Sequence, residues 1–377
     1  MYRCFFLLCL LSLKSFAQDT IYARDVIRQL TSKSFFGRGY VKNGLQKAES
    51  FIINEIKKQK TFPLFEKTFT QTFTHAVNTF PKICNVKLNG NKLKPGTDYI
   101  INPSSPSIKG KFNLIKKDSS FYSDNSKVNV LFKNKLTYRI SSLVDLRCEI
   151  ELDRHLIIQE PKFIELNIQN KYLPFFKSKN IACYIPGLLN QDSMIVFCAH
   201  YDHLGGMGSN TFFPGANDNA SGVSVLLNLI KFYNANPLKY KTVFIFFAAE
   251  EAGLLGSKAF IDSKTISLNK IKFLINLDLL GTGDNGIMVV NGNLHEKEFN
   301  QLNVINFENR YVDEIKKRGK AANSDHYWFS ESGVPCFFIY TLGGPTAYHD
   351  INDIEKNLPL IKYINVFKLI TEFIKSF

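Results

Sequence analysis

Histidine and carboxylate side chains follow apolar segments of this 377-residue sequence. His200 and Asp202 come directly after the apolar run 194–199, and Glu250 and Glu251 follow a second run of the same kind. Alternate residues of an extended chain point to one side, so His200 and Asp202 are expected to face one site. Adjacent carboxylates at the end of an apolar strand are costly unless a metal ion or a proton neutralises them. These features predict metal-dependent chemistry.

Three further candidates occupy comparable positions. Asp218 lies in a glycine-bounded loop that opens a helix, Asp278 follows an apolar run, and His349 follows the last such run. Two histidines and three carboxylates suit two zinc ions if one aspartate bridges them. The charges also balance, since about +4 from the metals meets about −3 from the carboxylates and −1 from a bridging hydroxide. We expect Asp202 to hold the second ring nitrogen of His200.

The elements that must position these residues alternate along the chain. Near-continuous apolar runs predict buried strands at 181–185, 194–199, 242–249, 272–277, 286–290 and 336–341. Helical spacing predicts helices at 222–233 and 358–374. Such alternation predicts an α/β fold, a three-layer sandwich with a mostly parallel central sheet, in which ligands bind beyond the carboxyl ends of the strands.

Composition divides the chain into four segments. Residues 1–17 have the pattern of a signal peptide, which predicts export to the periplasm, cell surface or medium after cleavage. Residues 18–81 begin a catalytic domain that residues 173–377 complete, and they are helical in pattern over 23–60, apart from an interruption at Gly37-Arg38-Gly39, with β-character at 69–73. Between them, residues 82–172 carry short β-like runs separated by Gly, Pro, Ser and Asn, and predict a small β-rich insert. The apolar stretch of the signal is shorter than the roughly 20 residues that span a bilayer, so we expect no transmembrane anchor.

The chain is basic, with 47 Lys and Arg against 33 Asp and Glu, a net charge of +14. The basic residues are scattered and accompany no nucleic-acid-binding module, so we expect no nucleic-acid partner. Loss of Arg3 and Lys14 with the signal would leave +12. We hypothesise that this excess favours acidic peptides or adhesion to anionic surfaces.

Five cysteines lie beyond the predicted signal, and an odd number leaves at least one thiol free in an exported protein. None has the Cys-x-x-Cys spacing of a zinc site. Any disulfide would involve Cys84 or Cys148, because the other three cysteines lie inside apolar strand-like runs.

Taken together, the motifs resemble those of the secreted dizinc aminopeptidase family related to glutamate carboxypeptidase and the transferrin receptor. The matching stretches are His200-Tyr-Asp202-His-Leu-Gly205, Gly215-Ala-Asn-Asp218-Asn-Ala-Ser-Gly222, Glu250-Glu251-Ala-Gly-Leu-Leu-Gly-Ser257, Asn276-Leu-Asp278, Ser324-Asp325-His326 and Tyr348-His349. Leu30-Thr-Ser32 with Gly37-Arg38 is similar to the N-terminal helix entry of that family. The resemblance covers about 20–60 and 175–377, and residues 82–170 are more weakly similar to the protease-associated insert of some members.

The resemblance implies two zinc sites that share one aspartate. One ion would be held by His200, Asp218 and Asp278. The other would be held by Asp218, Glu251 and His349. These assignments predict two zinc ions per chain.

The resemblance also implies a reaction, the hydrolysis of N-terminal residues from peptides with a free amine. Glu250 would be the general base that takes a proton from a metal-activated water. Asp202, Asp325 and Tyr348 are expected to orient ligands or substrate, and our hypothesis is that Asp325 acts on Tyr348 or on the substrate.

Other functions remain open at this stage. A glutaminyl cyclase of the same fold would use one zinc ion, whereas the Asn217-Asp218-Asn219 loop and the Glu250-Glu251 pair favour a two-metal peptidase. A carboxypeptidase acting on acidic tails would share the ligands. A metal-free binding protein, as in the transferrin receptor, would lose ligands, yet this chain retains all five ligand positions. The oligomeric state is left open.

Overall fold

The computed structural model describes residues 20–117, 120–123, 126–156, 160–189 and 191–377. The predicted signal peptide, residues 1–17, lies outside these described residues. Within them, none of the helices has both the length and the apolar character that a membrane crossing requires.

Seven α-helices occur in the described ranges, and the longer ones have an apolar face. They are α1 (Thr20–Leu30), α2 (Gly44–Lys57), α3 (Gly222–Ala235), α4 (Leu255–Asp262), α5 (Glu296–Asn309), α6 (His326–Glu331) and α7 (Tyr363–Lys375). In α1 the buried residues are Ala23, Val26, Ile27 and Leu30, the spacing of one helix face. The predictions of helices at 222–233 and 358–374 correspond to α3 and α7.

Nineteen strands lie in the described residues. The first two are β1 (Phe62–Pro63) and β2 (Thr70–Thr79). The next eight are β3 (Cys84–Leu88), β4 (Asn91–Lys92), β5 (Tyr99–Ile101), β6 (Ile108–Lys117), β7 (Ser120–Ser123), β8 (Val128–Lys133), β9 (Cys148–Asp153) and β10 (Phe163–Ile168). The last nine are β11 (Lys171–Ile185), β12 (Met194–His200), β13 (Gly206–Met207), β14 (Thr211–Phe212), β15 (Lys241–Phe247), β16 (Ile271–Leu277), β17 (Ile287–Val290), β18 (Ile315–Arg318) and β19 (Cys336–Thr341).

The larger sheet has the order β1-β11-β15-β12-β16-β19-β17-β18, with β2 paired to β11. Its centre is parallel, because β15, β12, β16 and β19 pair in the same direction. Antiparallel pairs flank that centre at β11–β15 and β17–β19. The prediction of a mostly parallel α/β sheet is confirmed.

Both faces of this sheet are covered by helices. On β12, Ile195 and Phe197 pack into a core with α1, α2, α3, α5 and α7, while Val196 and Cys198 pack on the other side with Phe260 of α4 and residues of α6. This alternation follows from the period of two along a strand. Because both faces are buried, the strand is apolar throughout, and the layers are helix, sheet and helix.

Strands β3 to β10 form a second sheet, ordered β4-β3-β10-β6-β7-β8-β9-β5, with a hydrophobic core of its own. That core also takes in Leu204, Met207 and Phe213 from the segment that follows β12. Tyr138 stacks on Phe213 with ring centroids 4.4 Å apart. The second sheet is therefore packed directly against a loop that leads out of the parallel sheet.

Candidate metal centre

The candidate residues meet at the carboxyl end of the parallel sheet. His200 is the last residue of β12, Asp278 directly follows β16, and Glu250 and Glu251 lie just beyond β15. Asp218 lies in an irregular turn, Ala216–Ser221, that leads into α3. His349 lies in the loop after β19.

Two groups of donor atoms share Asp218. The Nε2 atom of His200 is 3.3 Å from Asp218 Oδ1 and 3.4 Å from Asp278 Oδ1. The Nε2 atom of His349 is 3.0 Å from Asp218 Oδ2 and 3.2 Å from Glu251 Oε2. The two carboxylate oxygens of Asp218 therefore face different histidines, as a bridging ligand requires.

These donor atoms fit zinc. Two ligands at about 2.0–2.1 Å from a tetrahedral ion lie roughly 3.3 Å apart, which matches all four distances above. His200, Asp218 and Asp278 are almost fully buried. The Oδ1 atom of Asp278 has no hydrogen-bond partner in the described part of the chain, although it is buried. A buried carboxylate oxygen without a partner is costly, so a cation is the partner that this site fits.

The buried carboxylates of the cluster also stabilise positive charge on the groups between them. Burial opposes charge on His349, but the carboxylates of Glu251 and Asp218 outweigh it and raise the pKa of His349 to about 11. Burial likewise opposes charge on His200, yet Asp278 and Glu250 leave its pKa well above the usual value. Without metal, both rings hold a proton that neutralises the carboxylates, and zinc binding would replace these protons.

Glu250 and Asp202 lie beside the donor atoms. Burial and the nearby carboxylates, Glu251 first among them, raise the pKa of Glu250 well above its usual value. The carboxylate of Asp202 accepts the Glu250 main-chain N–H at 3.1 Å and the Tyr40 hydroxyl at 3.3 Å. Asp202 thus fixes the turn that carries Glu250 and Glu251.

The expected pairing of the Asp202 carboxylate with the His200 ring is wrong. The Nδ1 atom of His200 is 3.2 Å from the main-chain oxygen of Asp202 and 3.8 Å from its carboxylate. The chain leaves the sheet at His200, so the alternation of an extended strand no longer sets the direction of the next side chains. A main-chain carbonyl therefore orients the ring, which serves the same purpose as a carboxylate.

Asp325 and Tyr348, which were also expected to orient ligands or substrate, lie on different sides of the cluster. Asp325 is fully buried, and neither carboxylate oxygen has a hydrogen-bond partner among the described residues. Burial raises its pKa to about 7, and the charge of His200 opposes the rise. Tyr348 is 44% exposed and stacks on the His349 ring with centroids 4.0 Å apart. Tyr348 is thus open to a substrate, whereas Asp325 lies behind the ligands.

Arg38 was not among the predicted site residues, yet it holds two loops of the site together. It is fully buried, and its guanidinium donates five hydrogen bonds to main-chain carbonyls. The acceptors are Leu30 (3.3 Å), Tyr201 (3.0 Å), Pro214 (2.6 Å), Gly215 (2.9 Å) and Asp218 (3.1 Å). The Gly37-Arg38-Gly39 interruption between two helical patterns was the available sequence signal.

Asp353 holds the Asp218 turn from the other side. Its two carboxylate oxygens accept the main-chain N–H groups of Asn217 and Asp218 at 2.8 and 3.0 Å. Burial raises the pKa of Asp353 to about 6, and these hydrogen bonds oppose the rise. With Arg38 on the carbonyls and Asp353 on the amides, both sides of the turn are fixed.

The second sheet reaches the site through the segment after β8. The main-chain N–H of Tyr138 donates to the carbonyl of His349 at 2.9 Å, and Lys135 Nζ donates to the carbonyl of Thr346 at 2.7 Å. His349 has a φ of +55°, a region that non-glycine residues seldom occupy. The contacts from Tyr138 and Lys135 help to hold the loop in that conformation.

Comparison with known proteins agrees with this geometry. The model of peptidase family M28 matches residues 180–374, which is more than half of the chain. The chain belongs to peptidase family M28. The matched region contains every one of the candidate metal ligands.

Curated relatives of this M28 family member include aminopeptidase YwaD of Bacillus subtilis, 30% identical over 165 residues, or 40% of this chain and 32% of the relative. A probable leucine aminopeptidase of Arthroderma otae is 29% identical over 209 residues, or 52% of this chain and 57% of the relative. The chain thus spans about a third to somewhat over half of the length of these relatives.

Solved structures share the fold over nearly the whole chain. A zinc aminopeptidase from Bacillus subtilis, BSAP, has a TM-score of 0.70 at 18% identity and covers 95% of both chains. A peptidase M28 precursor from Shewanella amazonensis has a TM-score of 0.73 at 14% identity and covers 96% of this chain and 94% of its own. A glutaminyl cyclase from an Acidobacteriales bacterium has a TM-score of 0.58 at 17% identity, covering 96% and 94%.

Proposed function

We propose that this M28 family member is a two-zinc aminopeptidase that removes N-terminal residues from peptides. The observation that carries the proposal is the position of Asp218, whose two oxygens lie 3.3 and 3.0 Å from the Nε2 atoms of two different histidines. His200 and Asp278 complete one donor set, and Glu251 and His349 complete the other. The family membership and the zinc aminopeptidase among the fold relatives support the same activity.

Zinc ions bound there would lower the pKa of a coordinated water and polarise the scissile carbonyl. Glu250 is the residue that takes the water proton and passes it to the leaving amine. The hydrogen bond from the Glu250 main-chain N–H to Asp202 fixes the turn that carries Glu250.

We propose a preference for a free N-terminus because relatives of this chain are aminopeptidases. The charges of the ligands do not set this preference, since two zinc ions and a bridging hydroxide would balance them. Half-exposed Tyr348, beside His349, is placed to contact the bound peptide.

We also propose the location and the domain division. Residues 1–17 direct export and are cleaved before Gln18. Residues 18–81 and 173–377 form the catalytic domain, and residues 82–172 form a β-rich insert. The separate core of the second sheet supports this division, and the pattern of residues 1–17 supports export. The N-terminal residue of the exported protein, determined by mass spectrometry, tests the cleavage site.

The activity is tested with peptides that differ only at the N-terminus. We expect cleavage of a free peptide, no cleavage of its N-acetylated form, loss of activity with a chelator, and recovery on return of zinc. Cleavage of only the blocked peptide contradicts the proposal. A peptide that begins with glutamine tests the cyclase alternative, since a cyclase releases ammonia and leaves the peptide bond intact.

The Glu250→Gln variant tests the base. We expect it to bind zinc as the wild type does and to lose at least 100-fold in kcat, since general-base catalysis contributes about 10²–10⁴-fold. Zinc content is measured beside the rate. A variant that keeps wild-type turnover removes Glu250 from this role.

A further inference from the structure

His203, the last residue of the His-Tyr-Asp-His segment, is held in one position beside the two donor sets. It is fully buried, and its main-chain N–H donates to the carbonyl of Arg38 at 3.3 Å. A Cβ atom at Gly215 would lie 2.4 Å from the Cδ2 atom of the His203 ring, so the ring packs directly on that glycine. Gly215 has a φ of +63°, which also favours glycine.

The ring makes one hydrogen bond, to Glu251. Its Nδ1 atom is 2.7 Å from Glu251 Oε1, and its Nε2 atom has no hydrogen-bond partner among the residues that the structure describes. The other oxygen, Oε2, is the one that lies 3.2 Å from His349 Nε2. His203 thus binds the oxygen of Glu251 that does not face His349.

A direct metal ligand is the competing role, because the donor atoms of His203, Asp218 and Glu251 all lie within 4.8 Å of one another. Two ligands of one tetrahedral zinc ion lie roughly 3.3 Å apart, whereas an N–H···O⁻ hydrogen bond spans about 2.7–2.9 Å. The 2.7 Å contact of His203 has the length of a hydrogen bond. The four contacts of His200 and His349 with the carboxylates are longer, at 3.0–3.4 Å, and lie closer to the separation of two zinc ligands.

The two carboxylate oxygens of Glu251 have separate partners, since Oε1 lies 2.7 Å from His203 Nδ1 and Oε2 lies 3.2 Å from His349 Nε2. A carboxylate that binds a metal ion accepts hydrogen bonds, so Nδ1 of His203 is the donor in this contact and has no lone pair for a metal. Partners that bind the outer atoms of metal ligands typically change metal affinity 10- to 100-fold when removed.

We propose that His203 is a positioning residue that fixes the Glu251 carboxylate, so that Oε2 is presented to the second zinc ion. This inference rests on the proposed function, which supplies the second ion. It assigns His203 to the site formed by Asp218, Glu251 and His349. His203 donates no hydrogen bond to His200, Asp218 or Asp278, which form the other site, and its Nδ1 atom lies 3.9 Å from Asp218 Oδ1.

The test compares two substitutions of the same residue. The amide nitrogen of asparagine occupies nearly the position of Nδ1 and can donate to Glu251, whereas leucine fills space without a donor. Zinc affinity is measured on the full chain by competition with a chromogenic chelator, which resolves the two dissociation constants. For His203→Leu we expect one of the two zinc dissociation constants to weaken 10- to 100-fold while the other stays within about threefold. For His203→Asn we expect recovery to within about fivefold of the wild type.

His295, a part-buried histidine at the start of α5, receives the same two substitutions as a matched control. We expect both control variants to keep both zinc constants. If His203→Leu does not fold, His203→Asp replaces it, because an ionised aspartate cannot donate.

If His203→Leu binds both zinc ions with wild-type affinity, the proposal is overturned. It is also overturned if His203→Asn binds zinc as weakly as His203→Leu does, because that is the result expected for a direct metal ligand. A wild-type protein that binds fewer than two zinc ions overturns the proposed function itself, and the role of His203 with it.

Discussion

Arg38 offers the sharpest test of how the site is assembled, through the substitution Arg38→Lys. The guanidinium is fully buried, and its five hydrogen bonds all go to main-chain carbonyls. Burial lowers the pKa of Arg38 to about 10, so it remains charged at neutral pH. Lysine keeps the charge but has three donors, and so it can satisfy at most three of the five carbonyls.

The expected loss follows from these bonds. A hydrogen bond to a charged group contributes about 1.5–3 kcal/mol, so two lost bonds cost about 3–6 kcal/mol. For a chain of this length, that corresponds to a fall in Tm of about 4–8 °C. Three of the acceptors lie at Pro214, Gly215 and Asp218, so we also expect zinc to bind about 10-fold more weakly.

The assay is thermal unfolding with a chelator present, so that metal affinity does not enter the Tm. Arg28→Lys is the control, because Arg28 lies on the exposed face of α1 and its guanidinium pairs, among the described residues, with Asp25 at 2.8 Å. An exposed pair of this kind contributes about 0–1 kcal/mol. If the Tm of Arg38→Lys lies within about 1 °C of the wild-type value, the five hydrogen bonds do not stabilise the fold, and Arg38 does not hold the loops of the site together.

Three other outcomes are expected. Zinc binding at pH 8 should release at least one proton, because the pKa of His349 without metal is about 11, and the raised pKa of His200 acts in the same direction. Calorimetry in buffers of different ionisation enthalpy counts the protons, and release of none contradicts the protonated state of His349. Burial lowers the pKa of His326 to about 3, so the unfolded chain takes up a proton at higher pH than the folded chain, and the free energy of unfolding falls as pH drops below about 6.5. Between pH 7 and 5 the loss is about 2 kcal/mol, which urea unfolding of the chelated wild type and of His326→Phe should resolve. Lys135→Ala should speed hydrogen exchange in residues 342–352 and weaken the second zinc by up to about fivefold, and unchanged exchange there argues against a role for the Lys135 contact.

The sequence predicted the parallel sheet well because each central strand is buried on both faces. Such a strand must be apolar along its whole length, so its carboxyl end is visible as the point where polar residues begin. His200, Asp278 and the Glu250-Glu251 pair all stand at such points. Strand β18 was not predicted, because Ile315–Arg318 is largely exposed and its sequence is Ile-Lys-Lys-Arg.

The contacts behind the ligands were beyond the reach of the sequence. Arg38 donates to carbonyls as far as 180 residues away, and every residue has a carbonyl, so no side-chain pattern marks the acceptors. The partner of the His200 ring was misassigned for a related reason, since it too is a main-chain carbonyl. All five cysteines of the described residues are buried and free. The expectation of at least one free thiol therefore holds, and neither Cys84 nor Cys148 forms a disulfide there.

The proposed boundary near residue 172 lies at the start of the longest strand. β11 runs from Lys171 to Ile185, pairs with β2 along most of its length and joins β15 at its end. Strands β2 and β11 carry the chain out of the parallel sheet and back as a two-stranded ribbon, whose register shifts between Leu173 and Phe176. The composition of the sequence changes where this ribbon ends, but it does not show that the ribbon itself belongs to the larger sheet.

The candidate metal ligands are therefore held by parts of the chain that carry none of them. Arg38 of the N-terminal segment binds the carbonyls that lead to Asp218, and Tyr138 of the segment after β8 binds the carbonyl of His349. Asp218 belongs to both donor sets and His349 to one, so under the proposed function the N-terminal segment would act on both zinc ions and the second sheet on one. A disturbance near Arg38 should thus weaken both ions together, whereas a disturbance near Tyr138 should separate their affinities.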